Sequence, residues 1–200
     1  MNSGYSGGLA AARVAFKNVT LPFLPVNEGS FRSLEVILPE GKLLNAQPPA
    51  AMGEWSTSLP TVIDTILKAL SDALPDKIPA AHKGDMGGMA FHGIRPHSGK
   101  RYVSMNILGG GWGGKPFEDG ENVSVSVCQG DVKTVPVELQ ESYYPVLVES
   151  FKLREDSGGA GKYRGGLGLE LVIRALYVCY ANFFVERTEC PPWGLLGGKP

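Results

Sequence analysis

The run Glu155-Asp-Ser-Gly-Gly-Ala-Gly-Lys-Tyr-Arg164-Gly-Gly-Leu-Gly-Leu-Glu170-Leu-Val-Ile-Arg174 constrains this chain more than any other stretch. Its two halves ask for different backbones. From Asp156 to Gly161 it consists of glycine and small polar or apolar residues, which suit tight turns and positive φ. From Leu167 to Ile173 it becomes β-forming, with Leu171, Val172 and Ile173 able to fill a buried strand. Arg164 stands at the junction beside Gly165 and Gly166, so no neighbouring Cβ from those two crowds its approach to an anion or a carbonyl. Two readings follow: a ligand or subunit contact, or a guanidinium paired with a nearby carboxylate across a glycine-rich hairpin. Chemistry alone places the second first.

The totals set the class. A chain of 200 residues, 43% hydrophobic and 20% charged, can form one domain with a real core and is not disordered. Its 19 basic and 20 acidic residues leave a net charge of −1. That balance lacks the basic excess expected for binding nucleic acid or an anionic membrane surface. Glycine (27) and proline (15) are frequent but follow no period. The expected fold is therefore mixed α+β and loop-rich, with mainly antiparallel strands and two or three helices. Cys128, Cys179 and Cys190 are odd in number and form no C-x-x-C, which indicates neither a disulfide framework nor a zinc cluster. With no signal peptide and no bilayer-length apolar run, a reducing, cytoplasmic location is expected. Asn2 to Gly8 reads as an internal loop, and the chain stops at Gly197-Gly-Lys-Pro200 without a helix or charged tail. Residues 1–200 are thus expected to be one partial domain, a fragment of a larger unit.

Along the chain, Leu9 to Val19 has helical spacing, and Phe31 to Leu38 places Leu34, Val36 and Leu38 on one face of a strand. The clearest helix runs from Ser58 to Leu74. Leu59, Val62, Ile63, Ile66, Leu67, Leu70 and Leu74 mark its apolar stripe, and Asp64, Lys68 and Asp72 its polar face. Ser58 is its expected N-cap, Pro60 falls in its first turn and Pro75 ends it. Ile78 to Gly99 shows little periodicity. Arg101 to Leu108, Val123 to Cys128 and Tyr143 to Leu153 read as strands, and Leu167 to Phe184 as two more with a break near Leu176.

Gly109-Gly-Gly-Trp-Gly-Gly-Lys115-Pro116 meets the spacing of a phosphate-binding loop but puts proline where a hydroxyl should hold Mg²⁺, and no helix follows. It is not a nucleotide site; Gly110 and Gly111 remain suited to a backbone-donor loop beside a ligand. His82, His92 and His97 share the aperiodic stretch with Asp85 and Arg95. A metal site there would need Asp85 as third ligand, so satisfied loop histidines are the simpler expectation, with His92 kept as a substrate-facing residue. Glu138, Glu141 and Glu149 are expected as turn caps or ion-pair partners, with Arg164 and Arg187 as the cations.

Several of these segments, in this order, resemble the hydantoinase B/5-oxoprolinase family, which includes the large subunits of acetone and acetophenone carboxylases. They are Pro25-Val-Asn-Glu-Gly-Ser-Phe-Arg32, Leu43-Leu-Asn-Ala46, Gly109 to Gly114 with Asp119-Gly120, and Val135-Pro-Val-Glu138 with Glu141. Asp156-Ser-Gly-Gly-Ala-Gly161 followed by Arg164-Gly-Gly-Leu-Gly168 is the most specific run. Glu186-Arg187, Pro191-Pro-Trp-Gly-Leu195 and Gly197-Gly198 complete the series. The resemblance implies an internal to C-terminal segment of a longer polypeptide, whose divalent-metal motifs lie in an N-terminal half outside these residues. No metal ligand and no catalytic residue is carried over, and no cofactor is expected on this segment.

The resemblance further implies a two-component reaction. A partner subunit or domain with an actin-like ATPase fold binds ATP and Mg²⁺ and phosphorylates the amide or imide oxygen of a cyclic substrate. The B component then opens the ring, yielding an N-carbamoyl amino acid from a hydantoin or glutamate from 5-oxoproline. Carboxylase relatives instead join a ketone and bicarbonate; a non-catalytic scaffold that docks the ATPase is a third possibility. Anionic intermediates need cationic and N–H partners. Arg164, Gly165, Gly166, Gly110 and Gly111 are the residues expected to provide them. The 200-residue chain alone is expected to be inactive.

Overall fold

The computed structural model describes residues 2–53, 55–84, 86–129 and 132–200. Two sixteen-residue helices form its first layer: α1 (Tyr5–Thr20) and α2 (Trp55–Leu70). Ala11, Ala15 and Val19, one turn apart on α1, meet Leu59, Ile63 and Leu67 of α2, and Ile78 closes the cluster. Small residues on one helix against large ones on the other let the axes approach closely. α1 starts four residues before the expected Leu9, so Gly7 and Gly8 are helical, and a Cβ on Gly8 would lie 2.8 Å from the Leu44 carbonyl oxygen. The helix reaches into the glycines because the 43–46 segment packs directly on its backbone. α2 starts three residues before Ser58, which puts Pro60 inside the helix rather than in its first turn, and it ends at Leu70. The 3-10 turn Glu28–Phe31 is pinned to α1 by Arg13, which donates to both Glu28 carboxylate oxygens and lies over the Phe31 ring.

Two antiparallel sheets form the rest. β1 (Gly88–Ile94) lies between β2 (Arg101–Ile107) and β5 (Cys179–Phe184). β3 (Val146–Leu153) pairs with β4 (Leu169–Ala175), with a bulge between Val148 and Ser150. α3 (Val137–Tyr143) precedes β3. Met89, Phe91 and Tyr102 form a second core, packed against Tyr144, Leu171 and Ile173. Burial pushes the Tyr102 hydroxyl pKa up, helped by Cys179 and opposed by Arg95. Three helices with antiparallel sheets of three and two strands are the expected α+β class.

Four sequence expectations need correction. Leu34, Val36 and Leu38 are half-buried between exposed neighbours, as one shared face predicts, but among the described residues no strand ladder forms there, and Asn45 instead donates to Leu38 O. Val123 to Cys128 is no strand: Val123 has φ 48°, which breaks extended geometry, and only an isolated bridge joins Ser124 to Gly110. β1 lies inside the stretch read as aperiodic, because two glycines and a histidine dilute the alternation of Met89 and Phe91. α3 replaces the turns expected around Glu138 and Glu141; Pro136 and Glu138 suit a helix start.

One face of the three-stranded sheet is uncovered. Ile94, Val103, Met105 and Tyr180 are each more than half exposed and share that face by register. The outer edge of β5 is equally open, and the strand is apolar, without the charges or prolines that blunt free edges. The chain exposes 12179 Å². A folded monomer of 21.3 kDa would expose about 9,100 Å². Among the described residues no helix is long and apolar enough to cross a membrane.

The cysteines are free, and their settings differ. Burial pushes the Cys128 thiol pKa up, outweighing its hydrogen bond with Ser126, whereas Cys190 is exposed. Because the thiolate is the reactive form, Cys190 is expected to react with iodoacetamide at neutral pH at least about ten times faster than Cys128. Peptide mass spectrometry of timed samples checks this; equal rates would contradict the burial.

Candidate functional site

Three glycine-rich segments, 109–114, 158–168 and 194–198, enclose a cleft of about 550 Å³. The segments stack backbone on backbone. A Cβ on Gly111 would lie 1.9 Å from the Gly166 carbonyl oxygen, one on Gly166 1.9 Å from that of Glu121, and one on Gly159 2.3 Å from that of Lys199. These glycines are required by proximity: no side chain fits between the chains. Residues 80–83 tie the walls together. Ala80 N–H donates to Gly114 O, Lys83 N–H to Gly111 O and Ala81 N–H to Trp193 O.

Behind this segment lies a buried polar cluster that sequence reasoning missed. Asp64 was expected on the polar face of its helix, yet it is 1% exposed. One carboxylate oxygen is 3.0 Å from His82 Nδ1; the other accepts from the His82 backbone N–H at 3.3 Å and from Arg187 at 2.6 Å. Arg187 adopts φ 61°, and Gly84 leaves room for its side chain: a Cβ there would lie 2.2 Å from Arg187 Nε. The His82 ring meets Trp112 edge-on, with centroids 5.0 Å apart. The cluster therefore fixes α2, the 80–84 segment and the chain beyond β5 behind one cleft wall. A signal was present in the sequence: Pro60, Ile63 and Leu67, all buried, bracket Asp64 on one side of the helix.

The proposed contact residues separate into three groups. Gly110, Gly111, Gly165 and Gly166 all line the cleft. The N–H groups of Gly110, Gly165 and Gly166 donate to Ser124, Gly159 and Trp112 carbonyls, so the backbone-donor role expected of the loop is not open to these three. The Arg164 side chain is 59% exposed, 4.0 Å from Asp119, a solvent-screened pairing of small energy. Asp119 grips the Arg164 backbone more firmly, accepting its N–H at 2.7 Å, while Gly120 N–H donates to Arg164 O. His92 is away from the cleft lining, on the uncovered sheet face, stacked on Tyr180.

Other expected pairings are corrected. Glu149, left unpaired at the β3 bulge, reaches Arg174 of β4, whose register partner is Leu147. Glu141 caps the chain entering β3 by accepting Val148 N–H. Arg187 belongs to Asp64, not to a glutamate. His82 is buried, His92 is on β1, His97 is in the exposed turn after it, and Asp85 lies outside the described residues. Among the described residues no three His, Cys, Asp or Glu side chains come together as metal ligands.

Comparison with known proteins matches this geometry to a family. The hydantoinase B/oxoprolinase profile matches residues 1–200. A protein of Methanocaldococcus jannaschii is 36% identical over 200 residues, 99% of this chain and 34% of its own length. The caprolactamase subunit beta of Pseudomonas jessenii is 33% identical over 182 residues, 88% of this chain and 31% of that protein. Among solved structures, the ATP-dependent caprolactamase of Pseudomonas jessenii superposes with a TM-score of 0.78 at 29% identity, covering 87% of this chain and 31% of that one. Nucleotide-free acetone carboxylase superposes with a TM-score of 0.82 at 19% identity, covering 100% of this chain and 27% of that one, a likeness of fold alone. The chain spans about a third of the length of these two curated relatives. With the match running from the first residue to the last, the chain belongs to the hydantoinase B/oxoprolinase family.

Proposed function

We infer that this chain supplies part of the B component of an ATP-dependent cyclic-amide hydrolase. The observation that carries the reading is the family match along all 200 residues, together with 33% identity to a caprolactamase beta subunit. In this reading a partner ATPase phosphorylates the amide oxygen of a hydantoin, 5-oxoproline or lactam ring. Phosphorylation converts the amide into an O-phosphoryl imidate; water adds to its carbon, the C=N electron pair passes to nitrogen, and the C–N bond breaks as the protonated ring nitrogen leaves. The resulting acyl phosphate is hydrolysed by a second water to carboxylate and phosphate. The phosphoryl group is anionic throughout, and the exposed Arg164 guanidinium is suited to meet it. A divalent metal belongs to the part of the family polypeptide outside these residues, and ATP with Mg²⁺ to the partner. The uncovered face of the β2-β1-β5 sheet suits a docked polypeptide, since a water-exposed apolar patch of this kind marks an interface.

The complex this protein forms in its host, isolated by affinity purification, tests the reading. It is expected to open a hydantoin, 5-oxoproline or caprolactam ring only with ATP, releasing ADP in step with product. Ring opening without ATP contradicts it. ATP turnover that instead requires a ketone and bicarbonate would make the complex a carboxylase. The purified 200-residue chain is expected to show no turnover by itself.

A further inference from the structure

The cleft carries an uneven charge. Lys83, Lys115, Arg154, Lys162 and Lys199 line it, against Asp76. Lys162 Nζ lies over the Tyr163 ring, 5.1 Å from its centroid, and two others of these cations are engaged by oxygen atoms. Lys83 Nζ donates to Leu108 O at 2.7 Å, and Lys115 lies 2.6 Å from Glu118 and 3.5 Å from Glu121. Arg154, Lys162 and Lys199 make no ion pair among the described residues. They sit on backbones held to one another: Lys199 N–H donates to Ala160 O, Arg154 N–H to Gly168 O and Gly165 N–H to Gly159 O. The lining also includes the apolar Ile78, Trp112, Trp193 and Leu195. Like charges lining one cleft repel until an anion neutralises them, and apolar lining favours a ligand that is more than charge.

We propose that the cleft binds a small organic oxyanion, with its apolar body against Trp112 and Trp193 and its phosphate or carboxylate held by Arg154, Lys162 and Lys199. The site rests on this lining. Identifying the anion with the phosphorylated amide or its ring-opened carboxylate rests on the hydrolase reading above.

Titration of the purified chain, followed by tryptophan fluorescence and calorimetry, tests the site. The probes are phenyl phosphate, benzoate, inorganic phosphate and neutral benzyl alcohol. Phenyl phosphate or benzoate is expected to bind saturably and at least about tenfold more tightly than either inorganic phosphate or benzyl alcohol. Tighter phenyl phosphate assigns the phosphorylated species; tighter benzoate assigns the carboxylate. The triple variant Arg154→Gln, Lys162→Gln, Lys199→Gln is expected to lose at least about tenfold in affinity. Lys152→Gln, on β3 and paired with Glu170, is expected to leave affinity unchanged, with circular dichroism checking that both variants fold. Three results overturn the proposal: benzyl alcohol binding as tightly as the anions, a triple variant that is folded and unchanged, or no saturation by any anion up to about 10 mM. Anion binding by the chain, with ring opening that needs no ATP in the complex, would keep the site and remove the hydrolase reading. ATP-dependent ring opening with a silent cleft would do the reverse.

Discussion

Replacing Asp64 with alanine is expected to lower the stability of this protein by about 3–5 kcal/mol, the usual cost of removing one partner of a buried charge pair. Asp64 is the shared acceptor for the His82 backbone N–H and the Arg187 guanidinium, and it faces His82 Nδ1. The Arg187 side chain is only 13% exposed, and its Nε already has no hydrogen-bond partner. Without the carboxylate, a guanidinium would be left buried and uncompensated. In a domain of this size such a loss lowers the melting temperature by roughly 10 °C. Asp64→Asn keeps an acceptor without the charge and is expected to recover part of the loss. Urea denaturation of the three proteins measures the ordering. A loss below about 1 kcal/mol for the alanine variant would show that the cluster relaxes or hydrates at little cost.

The second large effect is at the glycine stack. Gly111→Ala and Gly166→Ala each drive a methyl group to 1.9 Å from a backbone carbonyl oxygen. No flexible side chain can yield there; two wall segments must separate, breaking bonds such as Gly166 N–H to Trp112 O. Each variant is expected to lose about 3 kcal/mol or more. Gly53→Ala is the control, since nothing lies within 4 Å of its new Cβ, and it is expected to change stability by no more than about 0.5 kcal/mol. Thermal melts decide the matter. A Gly111→Ala protein that melts with the parent would mean that the three walls are not in backbone contact.

These two effects show where sequence reading stops. The glycines of 109–114 and 158–168 were legible as special, but as sources of conformational freedom. None of Gly110, Gly111, Gly165 and Gly166 has positive φ. Their role depends on which other backbone lies opposite, and those partners are tens of residues away. Asp64 is the mirror case. Helical periodicity reads one helix at a time, and it puts a carboxylate on the solvent side unless a distant cation is known to arrive. Arg187 arrives from 123 residues away.

Local features with local causes came through well. The α2 stripe, β2, the β3 and β4 strands and the break before β5 follow from side-chain spacing and turn residues, because these preferences act over a few neighbouring residues. Phe31 to Leu38 lies between: its alternation correctly predicts which side chains turn inward, but a strand also needs a partner ladder, and spacing is silent about that. His92 is similar. Its residue type suggests chemistry, while its place on β1 puts it beside Tyr180 on an uncovered face.

The sequence by itself determined the α+β class, most element positions and, through the order of its motifs, the family. Only the tertiary structure decided that the glycine segments close on one another around a cationic cleft, and that Asp64, His82 and Arg187 meet behind it. The physical reason is range: backbone preference and amphipathic spacing are set by near neighbours, whereas a cleft wall or a buried ion pair exists only once segments far apart in the chain have been packed together.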